Sequence, residues 1–173
     1  MTLWNKILNA FWRDPEIIRR RQTLGTNPVF NSLNPNQLTR VLAMLYHRRY
    51  HEGETIFKEG DVGRAIFIIE SGKVLLCKKD KKGHERPLAT LGPGDFFGEM
   101  ALLEELPRSA TAVATAPADL FFLYKSSFDG FVVQRPDIGA TILSALAKLL
   151  SQRLRTLSGR LAGTEETTAA TRD

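Results

Sequence analysis

The hydrophobic and polar positions of residues 1–27 predict two short helices at the start of the chain. Residues 2–13 place six apolar side chains on one wide helical face: Leu3, Trp4, Ile7, Leu8, Phe11 and Trp12. Asp14 is a favourable N-cap for a second helix, because Pro15 and Glu16 suit its first turn. Two interpretations stay open. Both helices pack on their own domain or on a sister subunit, or residues 2–21 make peripheral contact with a membrane or a partner.

A change from helical to β-type periodicity follows. A third helix is predicted from the N-cap Asn34 to about Tyr46, and short β-type runs separated by glycines begin near Arg48. The predicted strands are residues 49–51, 55–58, 65–70, 73–79, 86–91, 109–114 and 119–124. Residues 71–72 and 80–83 are typical of hairpin turns. Seven or eight short strands at this spacing favour a small barrel or jelly roll over a parallel sheet.

Two further helices are predicted after the strands. Residues 126–134 form a short helix that Pro136 ends, and a long helix runs from Asp137 to about Ser158. A stripe of leucines follows the long helix with a period of about 3.6 residues. These leucines need a surface to pack against. The helix therefore folds over the barrel, pairs with the same helix of a second copy in a homodimer, or does both. Residues 159–173 are small and polar, and we expect a disordered tail there.

Composition places the chain among globular proteins of about one domain. It has 173 residues, of which 43% are hydrophobic and 25% charged. The net charge of +5 is spread along the chain, so no long basic stripe indicates a nucleic-acid interface. Cys77 is the single cysteine, which excludes an intrachain disulfide and fits a reducing compartment. We therefore expect a cytoplasmic protein, with a membrane-peripheral one as the alternative, because no apolar run is long enough to span a membrane.

The sequence gives little reason to predict a catalytic site or a metal site. No serine or cysteine shows a nucleophile signature, so we expect a non-enzymatic protein. His47, His51 and His84 lack the spacing of metal ligands, so we expect no metal.

The stretch between Gly94 and Ala112 carries the candidate chemistry. A short helix over residues 99–104 would present unpaired N–H groups to a phosphate oxygen, and Gly98 would let the backbone approach a ligand. Arg108 adds a fork of donors for a phosphate, next to the hydroxyl of Ser109. Glu99 is an unusual neighbour for an anion unless it binds a ribose hydroxyl. The stretch therefore predicts a site for a nucleotide with a single negative phosphate.

These residues resemble the phosphate-binding cassette of cyclic-nucleotide-binding domains, the family of the catabolite activator protein and the protein kinase A regulatory subunit. The family pattern F-G-E-x-A-L, followed by P-R-[ST/A]-A-[ST], is matched by residues 97–102 and 107–111. The likeness extends from about Val29 to about Ser158. It implies a mainly β fold, an eight-stranded antiparallel β-roll (jelly-roll barrel) with N-terminal helices and a long C-terminal helix. The expected domain boundaries are residues 1–27 for the N-terminal amphipathic helices, 28–158 for the binding domain with its lid helices, and 159–173 for the tail.

The resemblance also implies a role for each matched residue. Glu99 accepts from the ribose 2′-hydroxyl, and Arg108 pairs with the cyclic phosphate. Backbone N–H groups and the Ser109 hydroxyl add further bonds, while two apolar side chains flank the base. The ligand-binding residues implied in this way are Leu76, Leu88, Gly98, Glu99, Met100, Ala101, Arg108 and Ser109.

The base is read mainly from the long last helix, and two alignments of this helix stay open. One alignment places Arg153 and Leu154 over the base, and the other places Leu157 and Ser158 there. The ligand is accordingly cAMP or cGMP. Ser109 favours cAMP, because threonine is commoner at this position in cGMP binders.

The sequence therefore predicts a stand-alone regulatory protein that closes its C-terminal helices over a cyclic nucleotide. The alternative is a dimerising interaction module whose pocket is silent or holds a different ligand. A transcription factor of the catabolite-activator type carries a helix-turn-helix domain after the long helix. About a dozen residues follow Ser158 in this sequence, which is too few for such a domain. We expect no direct DNA binding, and the protein target is unknown.

Overall fold

Eight strands and four α-helices form within residues 14–169, the part of the chain that the computed structural model describes, with residues 157 and 160–169 described as backbone only. The helices are α1 (Pro15–Thr26), α2 (Pro35–Leu42), α3 (Lys125–Gln134) and α4 (Pro136–Ala169). The strands are β1 (Tyr46–Tyr50), β2 (Thr55–Phe57), β3 (Ala65–Ser71), β4 (Val74–Lys79), β5 (Glu85–Leu91), β6 (Phe96–Phe97), β7 (Thr111–Ala114) and β8 (Ala118–Tyr124). A four-residue 3-10 helix, Glu99–Leu102, lies between β6 and β7 and is called the cassette helix below. The helix predicted over residues 2–13 lies outside the described residues, and with it most of the segment 2–21 for which a membrane or partner contact is predicted.

The strands form two antiparallel sheets of four strands each, which confirms the predicted β-roll. One sheet has the order β1-β8-β3-β6 and the other the order β2-β7-β4-β5. The β3 strand is buried along almost its whole length, because one of its faces lies inside the roll and the other packs under the helices. Ile66 and Ile68 belong to the helix-side core, while Phe67 and Ile69 belong to the core inside the roll.

Helix α2 ends at Leu42, so the predicted end near Tyr46 is wrong. Tyr46 instead begins β1, which pairs with β8 opposite Phe122. The rings of these two residues stack with centroids 5.4 Å apart. Cross-strand aromatic pairing of this kind outweighs the weak local preference for another helical turn.

Two local features of the roll differ from the sequence prediction. Strand β6 is only two residues long and pairs with Phe67 and Ile68, and a run so short carries no periodicity to detect. Residues 71–72 do not form a hairpin, because β3 and β4 lie in different sheets. They form the corner where the chain passes from one sheet to the other. The turn at residues 80–83 does join a paired hairpin, with Lys79 opposite Glu85.

The corner at Gly72 supports a prediction about stability. Gly72 has a φ of +88°, and a Cβ there would lie 2.3 Å from the Pro117 carbonyl oxygen and 2.5 Å from the Ala118 Cα. We expect Gly72→Ala to lower the free energy of unfolding by about 3 kcal/mol or more, because backbone strain and a steric overlap act together. Urea unfolding followed by circular dichroism measures this difference.

Gly83→Ala is the matched control for this substitution. Gly83 has a similar φ of +84°, but nothing lies within 4 Å of a Cβ added there. The free energy of unfolding of Gly83→Ala should fall only by the strain of the left-handed backbone, about 1–2 kcal/mol. Equal losses for the two variants would show that the close approach at the corner costs nothing.

Helix α4 spans 34 residues, which corresponds to a length of about 51 Å. Its first half packs on the roll through Ile138, Ile142 and Leu146, all of which are fully buried. The helix continues to Ala169, beyond Ser158, where the sequence places its end and the start of a disordered tail. Residues 159–169 contain no proline, so each of them keeps a backbone N–H that can donate to the helical hydrogen bonds. Among the helices of residues 14–169, none has both the length and the apolar character needed to cross a bilayer.

Candidate functional site

A cavity of about 370 Å³ opens between β4, β5, the cassette helix and the segment that precedes β7. Its size lies in the usual range for small-molecule sites, about 300–1,000 Å³. All of the predicted ligand-binding residues line it: Leu76, Leu88, Gly98, Glu99, Met100, Ala101, Arg108 and Ser109. The structure thus brings together in one place residues that the sequence separates by more than 30 positions.

Gly98 is the hinge between β6 and the cassette helix. It has a φ of +71°, and a Cβ at this position would lie 2.5 Å from the Nη1 atom of Arg108. The guanidinium therefore occupies the space that a side chain at position 98 would need. The Ala101 N–H donates to the Gly98 carbonyl oxygen over 3.2 Å, which closes the first turn of the cassette helix.

The backbone of Arg108 is held by the loop between β2 and β3. The Arg108 N–H donates to the Asp61 carbonyl oxygen over 2.7 Å, and the Gly60 N–H donates to the Arg108 carbonyl oxygen over 2.9 Å. Two positions further along, on the other side of the bridge between Val62 and Pro107, the Gly63 N–H donates to the Leu106 carbonyl oxygen over 3.1 Å. This ladder fixes the direction in which the Arg108 side chain leaves the backbone.

The guanidinium of Arg108 turns inward and lies on an aromatic surface. Its Cζ atom is 4.1 Å from the centre of the Phe57 ring, a cation–π contact. Nη2 donates to the Ala65 carbonyl oxygen over 2.8 Å and Nη1 to the Gly98 carbonyl oxygen over 3.2 Å. The buried Nε has no hydrogen-bond partner among the described residues. Sequence reasoning missed Phe57, although an aromatic residue in a strand beside the turn 58–61 was the available signal.

Burial lowers the pKa of the Arg108 guanidinium, while the nearby carboxylates of Asp61 and Glu99 oppose this shift. A cation that is taken out of water is costly unless an opposite charge compensates it. The hydrogen bonds that Arg108 makes are to neutral carbonyl oxygens. The site is therefore electrostatically suited to receive an anion.

Glu99 supplies the acidic group of the same cavity. Its side chain is 9% exposed, and its Oε1 atom forms an ion pair and hydrogen bond with the Arg153 guanidinium. Arg153 lies on α4, and its Cζ atom is 5.3 Å from the centre of the Phe96 ring. The long helix thus reaches the cassette directly, through a contact between residues 54 positions apart.

This contact bears on the two alignments of the last helix. Arg153 lines the cavity, whereas Leu154 is not among the residues that line it and is 65% exposed. Ser158 is exposed, and the side chain of Leu157 lies outside the described part of the chain. Which of these residues faces the base stays a prediction.

The remaining wall of the cavity is apolar. It includes Leu76, Ala89 and Leu91 from the β4–β5 hairpin. At the mouth, Leu88 is 58% exposed and Met100 is 47% exposed. Exposed apolar side chains beside a charged pair are suited to a ligand with a flat apolar part and an anionic part. Within the described residues, no group of three or more His, Cys, Asp or Glu side chains is placed to hold a metal ion.

The fold is a β-roll, and its cavity lies between a segment suited to binding a phosphate and the long helix α4. The family model "Cyclic nucleotide-binding domain" matches residues 47–135. The chain belongs to the cyclic nucleotide-binding domain family, whose members are regulatory ligand-binding domains.

The similar proteins agree with this assignment. The cyclic AMP receptor protein of Thermus thermophilus is 40% identical over 129 residues, which cover 75% of this chain and 58% of that protein. The crystal structure of Thermus thermophilus catabolite activator protein matches with a TM-score of 0.73 and 38% identity, over 79% of this chain and 62% of that one. The regulatory domain of Toxoplasma gondii PKA, crystallised with cAMP, matches with a TM-score of 0.63 and 31% identity, over 68% of this chain and 44% of that one. The chain therefore spans about three fifths of the length of the Thermus protein.

Proposed function

We propose that the chain is a non-enzymatic regulatory protein that binds cAMP in the cavity between the cassette helix and α4. The observation that carries the proposal is the partly buried charge of Arg108. Its guanidinium is partly desolvated, its buried Nε has no hydrogen-bond partner among the described residues, and its two hydrogen bonds are to neutral carbonyls. A cyclic phosphate carries a single negative charge and would compensate this cation.

The rest of the cavity supports a nucleotide instead of a free anion. Arg153 binds the Oε1 atom of Glu99, which leaves Oε2 as an acceptor for the ribose 2′-hydroxyl. The Ser109 hydroxyl and the Gly98 backbone N–H would add bonds to the phosphate. The Ala101 N–H would join them by exchanging its long bond to the Gly98 carbonyl oxygen for one to the phosphate. The base would then lie against the apolar wall of the cavity, to which Leu76 and Leu88 belong.

We propose cAMP over cGMP for two reasons. Position 109 is a serine, and the resemblance associates threonine at this position with cGMP binders. In addition, two of the similar proteins are associated with cAMP. One is named the cyclic AMP receptor protein of Thermus thermophilus, and the other is the Toxoplasma gondii regulatory domain crystallised with this nucleotide.

Binding of the nucleotide would be signalled by a change in the position of α4. Residues 151–156 are exposed, so this part of the helix is held to the roll mainly by the Arg153–Glu99 contact. A nucleotide that binds both the cassette and this helix favours the closed arrangement, in proportion to the difference in its affinity for the two states. The second candidate function, a dimerising interaction module, is favoured by Leu154, whose apolar side chain on the same segment is 65% exposed.

Competition between nucleotides tests the proposed ligand. We expect cAMP to displace a fluorescent cAMP analogue from the wild-type chain at a concentration at least about tenfold lower than cGMP needs, which corresponds to about 1.4 kcal/mol. 5′-AMP, which has an open and dianionic phosphate, is the control and should not compete. A lower concentration for cGMP would overturn the base preference. Failure of all three nucleotides, with a dimer found by light scattering on the same sample, would favour the interaction module.

A further inference from the structure

Asn27 is a fully buried polar residue at the end of α1, far from the cavity in sequence. Its Nδ2 group donates to the Gly94 carbonyl oxygen over 2.9 Å, and its Oδ1 atom accepts from the Val29 N–H over 2.9 Å. The second bond is local and shapes the chain between α1 and α2. The first bond spans 67 positions and ties the N-terminal helical unit, which consists of α1 and α2 (residues 15–42), to the turn that precedes β6.

The turn at Gly94 is also bonded to the end of β3. The Gly94 N–H donates to the Ile69 carbonyl oxygen, and the Ile69 N–H donates to the Asp95 carbonyl oxygen, each over 2.9 Å. Gly94 itself has a φ of +86°, a conformation that gives the chain a sharp change of direction. Asn27 thus contacts the carbonyl of the residue at which the direction of the chain is set.

Helix α1 holds the same end of β3 from a second side. Glu70 follows Ile69 in the strand, and its carboxylate is almost completely buried. Arg19 reaches it over 2.7 Å, and the Arg20 Nε atom lies 3.6 Å away. Leu24 is the one α1 residue that is fully buried, and Ile17 packs against the same core, so these polar contacts add to the attachment that the apolar side chains give α1.

Only three residues separate Gly94 from Gly98, the hinge of the cassette. Two of them, Phe96 and Phe97, form β6 and are buried between the two cores of the domain. Phe97 stacks on Phe67 with ring centroids 5.2 Å apart. A short strand packed this tightly transmits a displacement of its start to its end, since the interior does not absorb it. Gly98 then presents its carbonyl to Arg108, and Glu99 follows it.

We propose that Asn27 is a positioning residue for the binding site. Its bond to Gly94 fixes the start of β6, and through β6 it sets the place of Gly98 and Glu99. The N-terminal helical unit is therefore part of the support of the cassette. The effect on affinity rests on the proposed function, whereas the effect on the order of residues 94–99 does not.

Asn27→Ser tests this role with little other change. A serine hydroxyl can still accept from the Val29 N–H, but it is too short to reach the Gly94 carbonyl. We expect the dissociation constant for cAMP to rise about tenfold, the scale of one lost buried hydrogen bond. We also expect faster amide hydrogen exchange over residues 94–99 under conditions where the chain stays folded. Asn27→Asp, which places an oxygen against the Gly94 carbonyl, should change both quantities in the same direction and by more.

Leu24→Val is the matched control, because Leu24 is buried in the same helical unit and its side chain makes no bond to the turn. It should lower the melting temperature without changing the affinity per folded chain or the exchange of residues 94–99. Equal exchange in wild type and Asn27→Ser would overturn the proposal, as would affinity losses that follow melting temperature in both variants. If the wild type binds no cyclic nucleotide, the proposed function fails, and the exchange measurement alone decides the role of Asn27.

Discussion

Replacing Arg108 with methionine is expected to weaken cAMP binding by at least about a hundredfold, the loss that corresponds to one or two charge-assisted hydrogen bonds. The substitution removes the cation that would face the cyclic phosphate. It keeps a long apolar side chain against the Phe57 ring, on which the guanidinium now lies. Calorimetric titration with cAMP measures the loss.

The stability of the same variant separates a ligand-binding role from a structural one. In the wild-type chain the guanidinium is partly desolvated and donates to two neutral carbonyl oxygens. Methionine removes the cost of desolvating the cation, but it leaves these two oxygens without their donor. We therefore expect Arg108→Met to lose about 1–3 kcal/mol of unfolding free energy and to stay folded under the conditions of the titration.

Arg64→Met is the control for this experiment. Arg64 precedes β3 and is exposed, so its loss should leave both affinity and stability unchanged. A variant at position 108 that unfolds easily but binds cAMP normally would make Arg108 a structural residue and would remove the observation on which the proposed function stands.

Replacing Glu99 with glutamine is expected to reduce the ability of the site to distinguish cAMP from 2′-deoxy-cAMP. The wild-type chain should bind the deoxy analogue about tenfold or more weakly, because a buried carboxylate would be left without its hydroxyl partner. Glu99→Gln should bind cAMP more weakly and prefer it to the deoxy analogue by only a few-fold, because a neutral amide oxygen accepts a weaker hydrogen bond than a carboxylate does. Competition against a fluorescent analogue measures the four dissociation constants.

Arg153 enters the same experiment as the second member of a double-mutant cycle. Its side chain is 51% exposed, so its ion pair with Glu99 should contribute little to stability. Arg153→Met should weaken cAMP binding by a few-fold, because the carboxylate loses the partner that orients it. The double variant should be no weaker than Glu99→Gln alone, since residues in one network are not additive. Additive losses would show that Arg153 acts independently of Glu99.

Much of the roll was predictable because its strands are short, glycine-bounded and locally patterned. The capping residues Asp14 and Asn34 also mark the starts of α1 and α2 correctly. The missed features depend on contacts between distant residues. The corner at Gly72 depends on Pro117, and the end of α2 depends on the pairing of β1 with β8.

The same division holds for the candidate site. The cassette motif is continuous in sequence, so its residues could be assigned before their geometry was known. The inward turn of Arg108 onto Phe57 and the bond from Arg153 to Glu99 join different elements of the fold. No periodicity or local propensity encodes such pairs, because they arise only when the sheets and helices have packed.

Calorimetric titration of the wild-type chain with cAMP tests the central claim most directly, because every assigned role in the cavity depends on binding. The expected result is a saturable isotherm with one nucleotide per chain. The same titration of Arg108→Met at matched concentrations should give a shallow isotherm that does not saturate, in line with a loss of affinity of at least about a hundredfold. A wild-type chain that is folded by circular dichroism and gives no binding heat at two different temperatures would contradict the proposed function.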